Sequence, residues 1–212
     1  MPDRQLIVTP DVAAEAQRQI EAASPRTIAL AGGSTPRGLY ERLGTGSSLD
    51  WPNIDVFFGD ERCVPPDHPD SNFRMAYEAL LSKVRARVHA MPGATCDALA
   101  YEADLRSIFG EGTPAFDLIL LGLGEDGHTA SLFPGDPALE VRDHLVVRVT
   151  RPDHPRLTLT LPVLKAARLV LFLVAGASKR EALRRLLNNE DIPAARVHAA
   201  RTLVISDPAA AG

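Results

Sequence analysis

Of the side chains in this 212-residue protein that could do chemistry, His128 has the most telling surroundings. It lies in Gly122-Leu123-Gly124-Glu125-Asp126-Gly127-His128-Thr129, a glycine-hinged run directly after the apolar stretch Phe116 to Leu121. Imidazole has its ordinary pKa nearest neutrality, and Asp126, two residues earlier, can orient or polarise it, so the pair suits general acid/base work. The run also contains GxGxxG after a strand, formally a dinucleotide fingerprint. Glu125 and Asp126 would place carboxylates where a pyrophosphate belongs, and Asp143, the next acidic candidate, precedes its strand instead of ending one, so nucleotide binding is disfavoured.

A second run, Gly32-Gly33-Ser34-Thr35-Pro36, also follows an apolar strand and opens a helix. Two glycines admit close backbone approach, the hydroxyls donate, and a helix start presents free N–H groups with partial positive charge, which together make a phosphate cradle. An ordinary capped turn has the same composition, and the Gly-Lys-Ser/Thr ending of a P-loop is absent. A phosphate also needs cations, for which Arg156, before strand-like Leu157 to Leu161, and Lys179, after Gly176-Ala177-Ser178, are candidates. In Gly59-Asp60-Glu61-Arg62-Cys63 three charges follow a strand directly; they either ring a polar site or pair at its rim. Ser71-Asn72-Phe73-Arg74 begins the next helix, with Arg74 as a possible additional cation.

Other chemistries remain open at this point. Asp60, Glu61, His68, Asp126 and His128 could serve a metal hydrolase, but they lack compact ligand spacing, so no metal site is expected. Cys63 could be a nucleophile or a small core residue. Cys63 and Cys96 stand 33 apart with no CxxC, so neither a disulfide framework nor a zinc site is expected.

These loops must be positioned by an alternation of strand-length apolar runs and helical patterns, which implies a mostly parallel sheet with helices on both faces. Strands are expected at Thr27 to Ala31, Ile54 to Phe58, Phe116 to Leu121, Leu145 to Val149, Arg168 to Val174 and Thr202 to Ile205. Helices are expected from Thr9-Pro10-Asp11 through Ile20, from about Pro36, over Ser71 to Lys83, Thr95 to Phe109, Pro162 to Ala167 and Ser178 to Leu187. Gly44 to Pro52 and Pro134 to Asp143 are loops by composition. In open parallel sheets ligands bind beyond the carboxyl ends of the strands, where the runs above fall.

With 45 % hydrophobic and 24 % charged residues the chain is globular in composition and is expected to form one domain over residues 1–212. A net charge of −4 gives no footprint for nucleic acid, so an anionic substrate needs a local pocket. The start has no basic segment followed by an apolar stretch, and no run is long enough to span a membrane, which reads as cytoplasmic.

GGSTPRGLY, FFGDER, SNFRM, DLILLGLGEDGHTASLFPG, RLTLTLP and VAGASKREAL, in order from about Val8 to Val204, resemble the 6-phosphogluconolactonase family. The resemblance implies a modified Rossmann-like fold shared with glucosamine-6-phosphate deaminases and ribose-5-phosphate isomerases. It also implies hydrolysis of 6-phospho-D-glucono-1,5-lactone to 6-phosphogluconate in the oxidative pentose phosphate pathway, without metal or cofactor and with no obligate protein partner. By resemblance Gly33, Ser34, Thr35, Arg156 and Lys179 form the phosphate site, and Asp60, Arg62, Asp126 and His128 the reaction centre. The deaminase pattern carries a glutamate five residues after the loop histidine, where this chain has Phe133, a departure that favours the lactonase. A sugar-phosphate sensor that has lost the chemistry is the non-enzymatic alternative, and the presence of both His128 and Asp126 counts against it.

Overall fold

A computed structural model describes residues 4–212. In chain order it contains β1 (Gln5–Val8), α1 (Val12–Ala23), β2 (Thr27–Leu30), α2 (Ser34–Thr45), β3 (Asp55–Phe58), β4 (Asp60–Arg62) and α3 (Asn72–Ala76). There follow β5 (Arg87–Val88), α4 (Ala98–Phe109), β6 (Leu118–Gly122), β7 (Val146–Val149), β8 (Arg156–Leu159) and α5 (Leu161–Ala166). The chain ends with β9 (Leu169–Val174), α6 (Arg180–Leu187), β10 (Arg201–Ser206) and α7 (Pro208–Ala211). A π-helical turn, Tyr77–Leu81, extends α3.

Seven strands pair in parallel in the order β1-β10-β9-β6-β2-β3-β5, giving the mostly parallel α/β sheet that the alternating pattern implied. Every residue of β9 is buried, and so are Leu118 to Leu121 of β6, as continuous apolar runs in covered parallel strands require. Two buried tyrosines finish neighbouring strands. The Tyr40 hydroxyl, on α2, accepts from the Ala31 amide at 2.9 Å and donates to the Ala31 carbonyl at 2.8 Å. The Tyr101 hydroxyl, on α4, accepts from the Phe58 amide at 3.0 Å and donates to the His89 carbonyl at 3.2 Å. Each satisfies backbone groups where the chain leaves the ladder, and so fixes where the following loop begins.

The structure departs from the sequence reading in several places, first at the two edge strands β1 and β5, which are too short to stand out as apolar runs. Asp60 to Arg62 are not loop but strand, and with β8 and β7 they make a second, antiparallel sheet ordered β4-β8-β7. Its strands are three or four residues long, too short for a clear alternating pattern. The helix expected from Thr95 begins at Ala98, capped by Asp97, because Cys96 takes a left-handed φ of 53°. Cys63 and Cys96 form a disulfide, Cα atoms 5.0 Å apart, contrary to the expectation from spacing. The return of the chain after β5 closes this distance, and local spacing carries no trace of it. The cystine also removes Cys63 as a candidate nucleophile. Trp51–Asn53 and Pro137–Glu140, within the segments expected as loops, are single 3₁₀ turns. Among the described residues no helix is long and apolar enough to cross a membrane.

Candidate active site

The loops after β2, β3, β6 and β9 meet at the carboxyl end of the sheet around a cavity of about 230 Å³. Gly33, Ser34, Thr35, Asp60, Arg62, His128, Arg156 and Lys179 all line it. Asp126 stands behind His128, and Arg74 lies elsewhere. The Arg74 guanidinium is tied to Glu78, one helical turn on, at 2.8 Å and to the Asp67 carbonyl at 2.9 Å, so it does not add a cation to the cavity.

The phosphate-type wall is built from α2. Gly33 is its N-cap, with φ of +104°, and no side chain caps the helix, so the first-turn N–H groups face the cavity without an intrahelical partner. Gly32 is required for a different reason: a Cβ there would lie 2.0 Å from Asn72 Oδ1. Asn72 packs on that glycine, donates to the Asp60 carbonyl at 2.9 Å and accepts from Arg62 at 2.8 Å. The sequence placed Ser71 and Asn72 only at the start of a helix. Ser71 does cap, receiving the Arg74 amide at 3.1 Å, which leaves Asn72 free to join the cavity wall.

Arg62 and Arg156 are direct cross-strand partners in the antiparallel sheet. Like charges placed opposite each other are destabilising, and both Nε atoms are buried without a hydrogen-bond partner. Partial compensation comes from Asp153, 2.6 Å from Arg156, whose pKa is held at about 2 by the His154 amide and by the Arg156 guanidinium. With Lys179 on the same cavity, the wall carries three cations and a helix start, an arrangement suited to a multiply charged anion. The Arg62–Arg156 pairing was invisible in the sequence because it depends on the register of two short strands, with the paired residues 94 positions apart.

The same cavity carries the acid/base group. Asp126 Oδ1 accepts from the His128 amide at 3.0 Å and lies 2.6 Å from His128 Nδ1. Partial burial pushes the Asp126 carboxyl up, but these two contacts outweigh it and hold the pKa below the ordinary aspartate range. A carboxylate at Nδ1 selects the tautomer that leaves a lone pair on Nε2. The glycines make this turn possible. A Cβ on Gly124 would sit 2.0 Å from His128 Nδ1, and Gly127 has φ of +89° and would press a Cβ to 2.7 Å from Ile192. Within the loop Gly124 donates to the His128 carbonyl at 2.8 Å and Gly127 to the Gly124 carbonyl at 3.0 Å, and the Gly127 carbonyl accepts from the Ala194 amide at 3.0 Å.

Asp60 and Glu61 are both buried, and both are occupied. Asp60 receives the Ser131 hydroxyl at 2.6 Å, a link from the histidine loop that the sequence did not signal. Glu61 accepts the amides of Arg62, Asn72 and Phe73, each at 2.7 Å, and the Ser71 hydroxyl at 3.0 Å. Burial raises its pKa, while these four donors make it the anchor of the α3 start.

Residues 6–205 match the family model described as glucosamine-6-phosphate isomerases/6-phosphogluconolactonase. A Synechocystis protein named 6-phosphogluconolactonase is 52 % identical over 177 residues, 79 % of this chain and 73 % of its own. The chain belongs to this family. Within it, the crystal structure of 6-phosphogluconolactonase from Thermotoga maritima superposes with a TM-score of 0.85 at 31 % identity, covering 98 % of this chain and 100 % of that one. A monomeric glucosamine-6-phosphate deaminase superposes almost as well, TM-score 0.82 at 25 % identity, covering 99 % and 98 %. Shape therefore does not separate the family's two chemistries, and the side chains beside His128 must. Phe133 packs on the His128 ring with centroids 4.4 Å apart, and the guanidiniums of Arg151 and Arg156 lie 3.9 Å and 5.6 Å from the Phe133 centroid. The neighbours of that ring are thus an imidazole and two cations.

Proposed function

We propose that this chain, acting as a single domain over residues 1–212 in the cytoplasm, hydrolyses 6-phospho-D-glucono-1,5-lactone to 6-phospho-D-gluconate in the oxidative pentose phosphate pathway. The observation that carries the reading is one cavity lined both by His128, with Asp126 at its Nδ1, and by the open start of α2, Arg156 and Lys179. The phosphate is held by the Gly33 amide, Ser34, Thr35, Arg156 and Lys179. That remote grip converts binding into orientation of the lactone carbonyl beside His128.

In this mechanism His128 Nε2 takes a proton from water as the water oxygen bonds to the lactone carbon. Arg62 supplies the oxyanion donor, because the Gly124 and Gly127 amides are already engaged within their own loop. The tetrahedral intermediate then collapses, the bond to the ring oxygen breaks, and Nε2 returns its proton to that oxygen. Asp126 is a positioning residue throughout. Asp60 holds Ser131 and Asn72 in place. The step needs neither metal nor coenzyme, since the substrate already carries an electrophilic carbonyl.

His128→Ala tests the assignment in a lactone assay corrected for spontaneous opening and run with a chelator. Enzymatic turnover should fall at least about 10²-fold, the low end for general acid/base catalysis, with the fold intact. Near-normal turnover would remove His128 from the mechanism and return the water-activating role to Asp60 or Glu61.

A further inference from the structure

His68, Asp70 and His154 gather at the rim of the cavity and take no part in the chemistry above. Each offers one ligand atom, and these atoms all lie within 4.8 Å of one another. His154 Nε2 is 3.1 Å and His68 Nδ1 3.8 Å from the same Asp70 oxygen, and the two rings stand edge to face at 5.3 Å. Ligand atoms about 2.0–2.2 Å from a tetrahedral ion are roughly 3.4 Å apart, so the two separations from Asp70 are within a few tenths of an ångström of what one ion requires, while the two histidines lie within 4.8 Å of each other. The Asp70 amide donates to His68 Nδ1 at 3.1 Å, and an ion would take the place of that amide at the nitrogen. The side chains are 36 %, 58 % and 30 % exposed for His68, Asp70 and His154, which leaves a route in and room for a bound water.

The cluster joins two separate segments. His68 and Asp70 lie between β4 and α3, and His154 lies between β7 and β8. Each segment also holds one of the paired cavity arginines: the Asp70 carbonyl accepts from Arg62 at 2.7 Å, and Asp153, beside His154, binds Arg156. We propose that His68, Asp70 and His154 form an accessory site for a divalent transition ion of the zinc class, which clamps these two segments and stays outside the lactone chemistry. Two imidazoles and a carboxylate suit zinc, copper or nickel better than the all-oxygen shells of magnesium and calcium.

Zinc titrated by calorimetry into the full chain, first freed of metal with a chelator, tests this, with cobalt absorption as a second readout. The expected result is saturable binding to one class of site, weakened at least about 10-fold by His68→Ala and by His154→Ala, and unchanged in His128→Ala. Both rim variants should keep the wild-type melting curve in chelator, because their side chains are exposed; His154→Gln carries the same test if either does not. Lactone turnover by the chelator-treated wild type and by His154→Ala should be equal. The proposal is overturned by an absence of saturable zinc binding, by unchanged affinity in the His68→Ala/His154→Ala double variant, or by loss of binding in His128→Ala, which would put the ion at the reaction centre.

Discussion

At the amino end of the parallel sheet, Arg26, Arg168 and Arg201 surround an open depression with Asp117, while at the carboxyl end Arg62, Arg156 and Lys179 line the cavity. Both ends gather three cations, yet their circumstances differ. Arg168 is 76 % exposed and paired with Asp117 at 3.0 Å, and the other Asp117 oxygen takes the Arg26 and Thr27 amides. Arg156 is 13 % exposed and faces Arg62 across a strand pair. A solvated arginine costs little to keep and contributes little, because water and salt screen it. Two half-buried guanidiniums held side by side are costly unless an anion joins them. The number of cations is therefore a poor mark of a site, and their enclosure together with an open helix start is a better one.

Kinetics should separate the two ends most sharply. After the loss at His128, the largest effect is expected for Arg156→Ala and Lys179→Ala, which should each raise KM for the lactone about 10- to 100-fold, the value of one charged hydrogen-bonding partner. Arg168→Ala and Arg201→Ala should leave KM within about twofold. Equal effects at the two ends would break the comparison.

A smaller effect concerns the rim of the carboxyl end, where the Cys63–Cys96 bridge follows Arg62 directly. Closing a loop of this length should contribute about 3–4 kcal/mol through chain entropy. Denaturant unfolding of Cys63→Ser/Cys96→Ser should show a loss of that order, and unchanged stability would mean that the bridge constrains nothing.

The smallest effect is electrostatic. The Asp126 pKa is lowered on folding from an ordinary value of 3.8, so its ionised form contributes stability above that pH and loses it as pH falls through the lower folded value. Asp126→Asn should therefore be slightly less stable than wild type at neutral pH, and the gap should close on acidification below 3.8. A gap that widens in acid would have the wrong sign for this account.

Most of the scaffold was legible because its signals are local. Long apolar runs such as Leu118 to Leu121 can only be covered strands, and Gly32-Gly33 and Gly122 to His128 announce special backbone wherever the rest of the chain goes. What escaped was decided by pairing between distant segments. The β4–β8 pairing, the Arg62–Arg156 opposition, the Ser131–Asp60 bond and the cystine each join residues separated by 30 or more positions, and no periodicity encodes them. Asn72 shows the intermediate case: its place at a helix start was readable, while its contact with Gly32 required the fold. The spread of Arg74 away from the cavity follows from a local helix pair that the sequence did offer, Arg74 with Glu78.

The most direct test compares the two reactions that this scaffold hosts. Deamination of an aldose phosphate needs ring opening and proton transfer between carbons, and beside His128 this chain offers the Phe133 ring flanked by arginines. Lactone opening asks only for one base that becomes an acid, a held water and an oxyanion donor. Purified wild-type protein should hydrolyse 6-phosphogluconolactone well above spontaneous opening and release no ammonia from glucosamine 6-phosphate above background. Ammonia release at a rate rivalling lactone hydrolysis would contradict the account.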